Sequence, residues 1–230
     1  GSLAGLLSFG DANQIVTEMA NEVIPIVKQS GSANTAILAG VNATDPFRDM
    51  HAFLSEIRSL GFDGVQNFPT VGLIDGKFRS NLEETGFGYD KEIEAMRVAK
   101  EKYDLVSTPY VFDIEQCVEM ARVGVDVIVI HLGLTVGGNI GAKTLGATAN
   151  LDECCEKIET MANAVYSVNE NQIILVHGGP VATPKDVEYV LGQLPAGTID
   201  GFYGASSMER LPVEVAITDT VKQFKNLRLM

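Results

Sequence analysis

Basic residues are scarce in this chain: across 230 residues, 17 Lys and Arg stand against 30 Asp and Glu, a net charge of −13. A field of that sign repels phosphate backbones and anionic lipid, so neither nucleic acid nor a membrane surface is an expected partner. An anionic ligand would need a local site that overrides the global field, and backbone N–H groups at helix starts supply such sites. Cysteine is also scarce. Cys117, Cys154 and Cys155 are odd in number with two adjacent, which makes a poor disulfide framework. A reduced, cytoplasmic setting is expected, with the three thiols at buried or half-exposed helix positions. No run approaches the ~18 apolar residues of a membrane span. The opening GSLAGLLSFG is apolar but short and has no basic start, so it does not read as a signal peptide.

What is present is the composition of a packed globular chain, 46% hydrophobic and 20% charged. No Pro- or Ser-rich linker, composition shift or low-complexity tract divides it, so a single domain over 1–230 is expected. Apolar β-type runs alternate with amphipathic helical runs. Strands are expected at 36–41, 64–68, 105–112, 126–133, 172–179 and 199–206, the third broken at Pro109. Helices are expected over 12–28, 53–61, 90–103, 114–123, 151–168, 183–194 and 212–227, with a long polar loop before the third. Asp90, Asp113, Asn150 and Thr183 read as N-caps, and Gly61 as a helix stop. In the last helix Val213, Ala216, Ile217, Val221 and Phe224 share a face expected to point inward.

Continuous Val/Ile runs covered on both faces define a parallel α/β sheet. Two architectures compete: a doubly wound open sheet, and a TIM (β/α)8-type barrel that needs two more strands than these six. The G-x-G-x-x-G of dinucleotide binding is absent after an early strand, and the chain starts with a helix. A barrel entered partway round is therefore the reading, N-terminally incomplete, with roughly two further strands expected upstream. Strands 36–41 and 199–204 would then be unpaired edges about 10–15 Å apart.

In a parallel α/β fold the carboxyl ends of the strands line the site. Those ends carry Asn42, Asn67, Thr70, Asp113, His131, His177 and Tyr203. His131 and His177 close the runs VIVI and IILV, an expensive way to fill a core. They are candidate proton-transfer groups, the alternative being structural histidines bonded to backbone. HGGP and GASSMERLP set small residues beside helix starts, and in barrels the loops after the last two strands often hold phosphate. Asn67, Thr70, Gly178, Gly179, Tyr203, Ala205, Ser206 and Ser207 thus form the candidate substrate or anion set, with tight turns as the plainer account of the glycines. Glu84 is a candidate acid or base, and Glu83 with Asp113 a candidate metal pair; a solvated loop and an N-cap are the alternatives. LTVGGNIGAKT lacks P-loop spacing and reads as a plain loop or as a mobile lid with Lys143 as its cation. There is no G-x-S-x-G elbow, and the Cys and His spacings match no zinc pattern.

The words at these strand ends are themselves distinctive. GFDGVQNFPTVGLIDGKFR, LEETGFGYDKE, TPYVFD, HLGLTVGGNIGA, HGGPVATPKD and GFYGASSMERLPVE resemble the phosphoenolpyruvate hydrolase-like family, whose members are also described as predicted signal-transduction TIM barrels. The resemblance covers essentially the whole chain. It implies a TIM barrel similar to the phosphoenolpyruvate mutase/isocitrate lyase superfamily, which works on C–C or C–P bonds of small 2-oxo acids and often uses Mg²⁺. Isocitrate lyase's K-K-C-G-H word is absent. Family members carry an upstream segment with a Gly-rich first strand and a second strand. The expected function is cleavage or hydrolysis of a small phosphorylated or phosphonylated 2-oxo acid with divalent-metal assistance. The alternative is a non-catalytic ligand-binding or signalling barrel that regulates a partner domain. The apolar SLAGLLSF and the charge lead to an expected homo-oligomer.

Overall fold

The structure, a computed structural model, describes residues 10–30, 34–142 and 150–228. Its strand segments are β1 (Leu38–Gly40), β2 (Gly64–Gln66), β3 (Val106–Ser107), β4 (Tyr110–Val111), β5 (Val127–His131), β6 (Ile173–His177) and β7 (Gly201–Phe202). The helices are α1 (Ala12–Gln29), α2 (Met50–Leu60), α3 (Gly76–Glu84), α4 (Tyr89–Tyr103), α5 (Ile114–Arg122), α6 (Leu151–Tyr166), α7 (Pro184–Gln193), α8 (Ser206–Glu209) and α9 (Leu211–Lys225). Every strand pairing is parallel, in the orders β1-β2-β3 and β4-β5-β6-β7. β3 and β4 are halves of one expected strand, parted where Pro109 offers no N–H to a ladder.

Local chemistry accounts for the helix starts. Asp113 accepts from Gln116 N, Asn150 from Glu153 N, and Thr183 forms a capping box with Asp186 beside Pro184. α4 departs from expectation: its N-cap is Gly88, and Asp90 lies in its first turn, where a carboxylate favours the helix dipole. The expected polar loop before it is partly ordered, as a 3-10 turn at Val71–Leu73 and then α3.

Strand side chains alternate between two faces. Ile128, Ile130, Ile174 and Val176 point to the helices and are fully buried with Met120 of α5 and Ile158 and Val165 of α6. Register places Leu38, Gly64 and Val106 on the inner face, and likewise Tyr110, Val129, Leu175 and Gly201. The sheet curls as in a TIM-barrel-type fold: Tyr203, just past β7, donates its hydroxyl to Gln66 Oε1 of β2 at 3.4 Å across the inner face. Among the described residues β1 pairs only with β2, and β7 only with β6. The inner face is open toward the amino ends of the strands, where Val106 is 39% and Ile173 47% exposed.

One helix contradicts its expected packing. Val213, Ala216, Ile217, Val221 and Phe224 of α9 are all exposed, and no residue of that helix is buried. The apolar period is present, but no described element covers it. Cys117, Cys154 and Cys155 are free and buried, and no described helix is long and apolar enough to cross a membrane. SLAGLLSF and Lys143 lie outside the described residues.

Candidate functional site

The inner face ends, at the carboxyl edge of the sheet, in a compact group of rings. His131 and His177 are register partners on β5 and β6, with ring centroids 4.8 Å apart. Each imidazole is oriented by backbone. His131 Nδ1 accepts from Gly133 N at 3.0 Å, so in the neutral ring the proton sits on Nε2. His177 Nδ1 lies 2.6 Å from Tyr203 O; a carbonyl can only accept, so this Nδ1 carries the proton and Nε2 keeps a lone pair. The two rings therefore present opposite hydrogen-bonding senses.

Tyr110 of β4 is the hub. Its ring lies 4.9 Å from both His131 and His177, 5.9 Å from Tyr203 and 6.0 Å from Phe68, while the tilted Phe112 ring lies 4.8 Å from His131. Burial pushes the His131 pKa down to about 3, with a smaller contribution from His177. Burial also lowers His177, opposed by its bond to the Tyr203 carbonyl. Burial raises both Tyr110 and Tyr203. The cluster is thus uncharged at neutral pH. Gln66 completes it: its Oε1 accepts from Tyr203, and its buried Nε2 has no partner among the described residues. The Tyr110 phenol approaches that amide without reaching hydrogen-bond geometry. An unpaired buried amide N–H is costly, and a ligand oxygen could satisfy it.

Of the sequence candidates, His131, His177 and Tyr203 are brought together here. Asn67 is not: the period of two that turns Gln66 inward turns Asn67 toward α4, where its amide meets Glu92 and Tyr89. Thr70 follows it, donating to Glu92. Gln66 and Tyr110 escaped the sequence reading because both faces of these strands are buried, which hides the alternation.

The glycine loops are interlocked with one another. Leu132 N donates to His177 O and Gly179 N to Gly133 O, both at 2.8 Å. A Cβ on Gly178 would meet Gly133 O at 2.3 Å, and one on Gly179 would meet Leu132 O at 2.5 Å. Close loop approach requires these glycines, and the Gly179 N–H is already engaged within the protein. Ala205 O accepts from Met208 N and Glu209 N to form the four-residue α8, which Ser206 and Ser207 open.

Glu84 is exposed at the end of α3. Glu83 and Asp113 line one groove with Arg79, Asp90 and Glu115, but Glu83 is ion-paired to Arg79 at 2.6 Å and Asp113 caps α5. Among the described residues no three His, Cys, Asp or Glu side chains gather in a metal-holding group, so this arrangement does not fit a divalent ion.

A parallel barrel-type chain with an uncharged imidazole–phenol–amide cluster at its strand ends defines the class. The chain matches the phosphoenolpyruvate hydrolase-like family over residues 1–227 and belongs to that family. Two Solanum lycopersicum proteins, ToMV susceptible protein tm-1(GCR26) and ToMV resistance protein Tm-1(GCR237), are each 53% identical to it over 229 residues, which is 100% of this chain and 29% of theirs. "Putative transcriptional regulatory protein y4pA" of Sinorhizobium fredii is 30% identical over 98% of this chain and 35% of its own. The chain thus spans 29–35% of the length of these curated relatives.

Proposed function

We infer that this chain is a ligand-binding barrel within a larger regulatory protein, and that its ligand is a small oxygen-rich metabolite of the 2-oxo acid class. The observation that carries the reading is the pair of backbone-oriented imidazoles of opposite sense beside the unpartnered Gln66 amide. His131 Nε2–H, the Gln66 amide and the Tyr110 phenol are donors for keto or carboxylate oxygens, and His177 Nε2 is an acceptor for an enol or hydroxyl. Among the described residues no cationic side chain belongs to this cluster, and the net charge of −13 does not attract an anion, so the reading assigns the binding to neutral donors. The regulatory part of the reading draws on the relatives' names and on the share of those proteins that this chain spans. Its output passes to a partner domain. A homo-oligomer belongs to the same reading, supported by the exposed apolar stripe of α9, and light scattering that returned a monomer at micromolar concentration would remove it.

One observation favours a second reading, enzymatic cleavage of a phosphorylated or phosphonylated 2-oxo acid. The His177 Nε2 lone pair can take a proton while His131 Nε2–H and Gln66 stabilise a developing enolate oxygen. Calorimetric titration with phosphoenolpyruvate, phosphonopyruvate and oxaloacetate, with turnover followed by NMR in the same samples, separates the two. Saturable binding without turnover, weakened in Gln66→Ala, is expected. Turnover selects the second reading, and neither binding nor turnover overturns both.

A further inference from the structure

Glu92 is fully buried on the first turns of α4, on the opposite side of the sheet from the ring cluster. Its Oε2 accepts from Asn67 Nδ2 at 2.5 Å and Thr70 Oγ1 at 2.7 Å, and its Oε1 from Val71 N at 2.8 Å. A carboxylate out of water is tolerated only when its lone pairs are filled in this way. What it holds is unusual. Val65 O accepts from Thr108 N, and past that point the backbone ladder between β2 and the 106–111 run stops. The next rung is made by the Asn67 side chain: its Oδ1 accepts from Tyr110 N at 2.7 Å and its Nδ2 donates to Tyr110 O at 3.1 Å. Tyr89 Oη donates to the same carbonyl. The amide of one residue thus stitches the two halves of the sheet together, and the residue it grips is the hub of the ring cluster.

We propose that Glu92 is a positioning residue for the strand-end site: by holding the Asn67 amide it seats Tyr110 against His131 and His177, so the state of a buried carboxylate behind the sheet sets the arrangement of the ring cluster in front of it. The inference rests on the ring cluster being a ligand site, but the seating itself is measurable without ligand. The groups facing the carboxylate are Arg79 of α3 and Tyr89 of its own helix, with Asp113 and Cys117 of α5 behind Tyr89. Burial keeps Tyr89 protonated and pushes the Cys117 thiol up to about 12, leaving Arg79 and Asp113 as the charged neighbours. Burial raises the Glu92 carboxyl to about 7 against the bonds from Thr70, Val71 and Asn67, so the device switches near neutral pH.

The test is NMR of the ligand-free chain, followed by titration with oxaloacetate. In wild type, the Tyr110 amide and the His131 and His177 ring resonances should show a common transition near pH 7, although both rings stay neutral there. Glu92→Gln should abolish that transition and weaken oxaloacetate binding by roughly tenfold, the worth of about one charged hydrogen bond. Thr70→Val should give a smaller version of the same change, and Thr70→Ser none. If Glu92→Gln fails to fold, the wild-type transition and the two Thr70 variants still decide. Ring and Tyr110 resonances that ignore pH near 7, or that match wild type in a folded Glu92→Gln, overturn the proposal. Resonances that move while no probe binds leave the seating standing and overturn the ligand reading instead.

Discussion

β5 and β6 pair over five residues each, from Val127↔Ile173 to His131↔His177, and the helices over them bury Cys117, Met120, Ile158, Met161 and Val190. At the other side of the arc β1 and β7 have three and two residues and, among the described residues, pair on one flank only; β7 leads through α8 into α9, no residue of which is buried. The two regions share one βα grammar and differ in whether a neighbour covers it. Cohesion should therefore concentrate around β5 and β6, where the two histidines are also held, while the end of the arc after β7 keeps the apolar stripe of α9 in water.

Truncation in the two regions gives the largest expected contrast. Ile130→Ala, at a fully buried position, should cost about 2–5 kcal/mol in denaturant unfolding. Ile217→Ala, 61% exposed on α9, should cost less than about 0.5 kcal/mol. Equal costs would mean that α9 is packed in solution and that the contrast is false. Glycine replacement sharpens it. Gly178→Ala forces an L residue to φ +76 and a Cβ to 2.3 Å from Gly133 O, so it should cost more than the roughly 1–3 kcal/mol of a strained backbone alone. Gly197→Ala, at φ +84 with open space around it, should carry only the backbone part. Indistinguishable losses would show that the interlock of residues 131–133 with 177–179 does not hold in solution.

The part of this architecture legible in the sequence is the part governed by local signals. Continuous Val/Ile runs located β5 and β6, Pro109 marked the split strand, and Asp113, Asn150 and Thr183 capped the helices they were expected to cap. His131 and His177 stood out because a polar ring ends an apolar run. Tertiary facts were not legible. Asn67 and Gln66 are adjacent polar residues on a strand buried on both faces, so composition cannot say which looks inward. Glu92 reads as one more acidic residue in the first turns of an acidic helix; only the approach of the 67–71 segment makes it the buried anchor it is. The stripe on α9 has the period of a buried face, and period alone does not supply the neighbour.

The pH dependence of stability probes the central region alone. His131, lowered from 6.5 to about 3, leaves the unfolded chain holding the extra proton between those values, so its contribution rises with pH there and is lost on acidification through the folded value. His177 shifts in the same direction. Glu92, raised from 4.5 to about 7, acts in reverse: the folded state holds the extra proton, and its contribution falls as pH rises between those values. Between pH 4.5 and 6.5 the effects oppose, and Glu92→Gln should steepen the rise of stability with pH by ~1.4 kcal/mol per unit, one proton's worth. Denaturant midpoints across that range measure the slope, and an unchanged slope would mean that Glu92 is ionised throughout.

The smallest effects bear on cooperativity. Gly192 lies within α7, and a Cβ there meets nothing within 4 Å. Gly192→Ala should raise global stability by up to ~1 kcal/mol through helix propensity, because α7 packs on α6 and unfolds with the centre. Thr218→Ala in α9 improves propensity by a similar mechanism, yet should leave the global midpoint unmoved. A helix with no buried residue opens before the rest, and its local gain does not enter the global transition. Amide exchange makes the distinction directly: α7 amides should share the slow global rate, and α9 amides should exchange faster and slow modestly in Thr218→Ala. If α9 amides instead exchange at the global rate, the helix is part of the cooperative unit, and its apolar stripe is covered in solution by an element beyond those described.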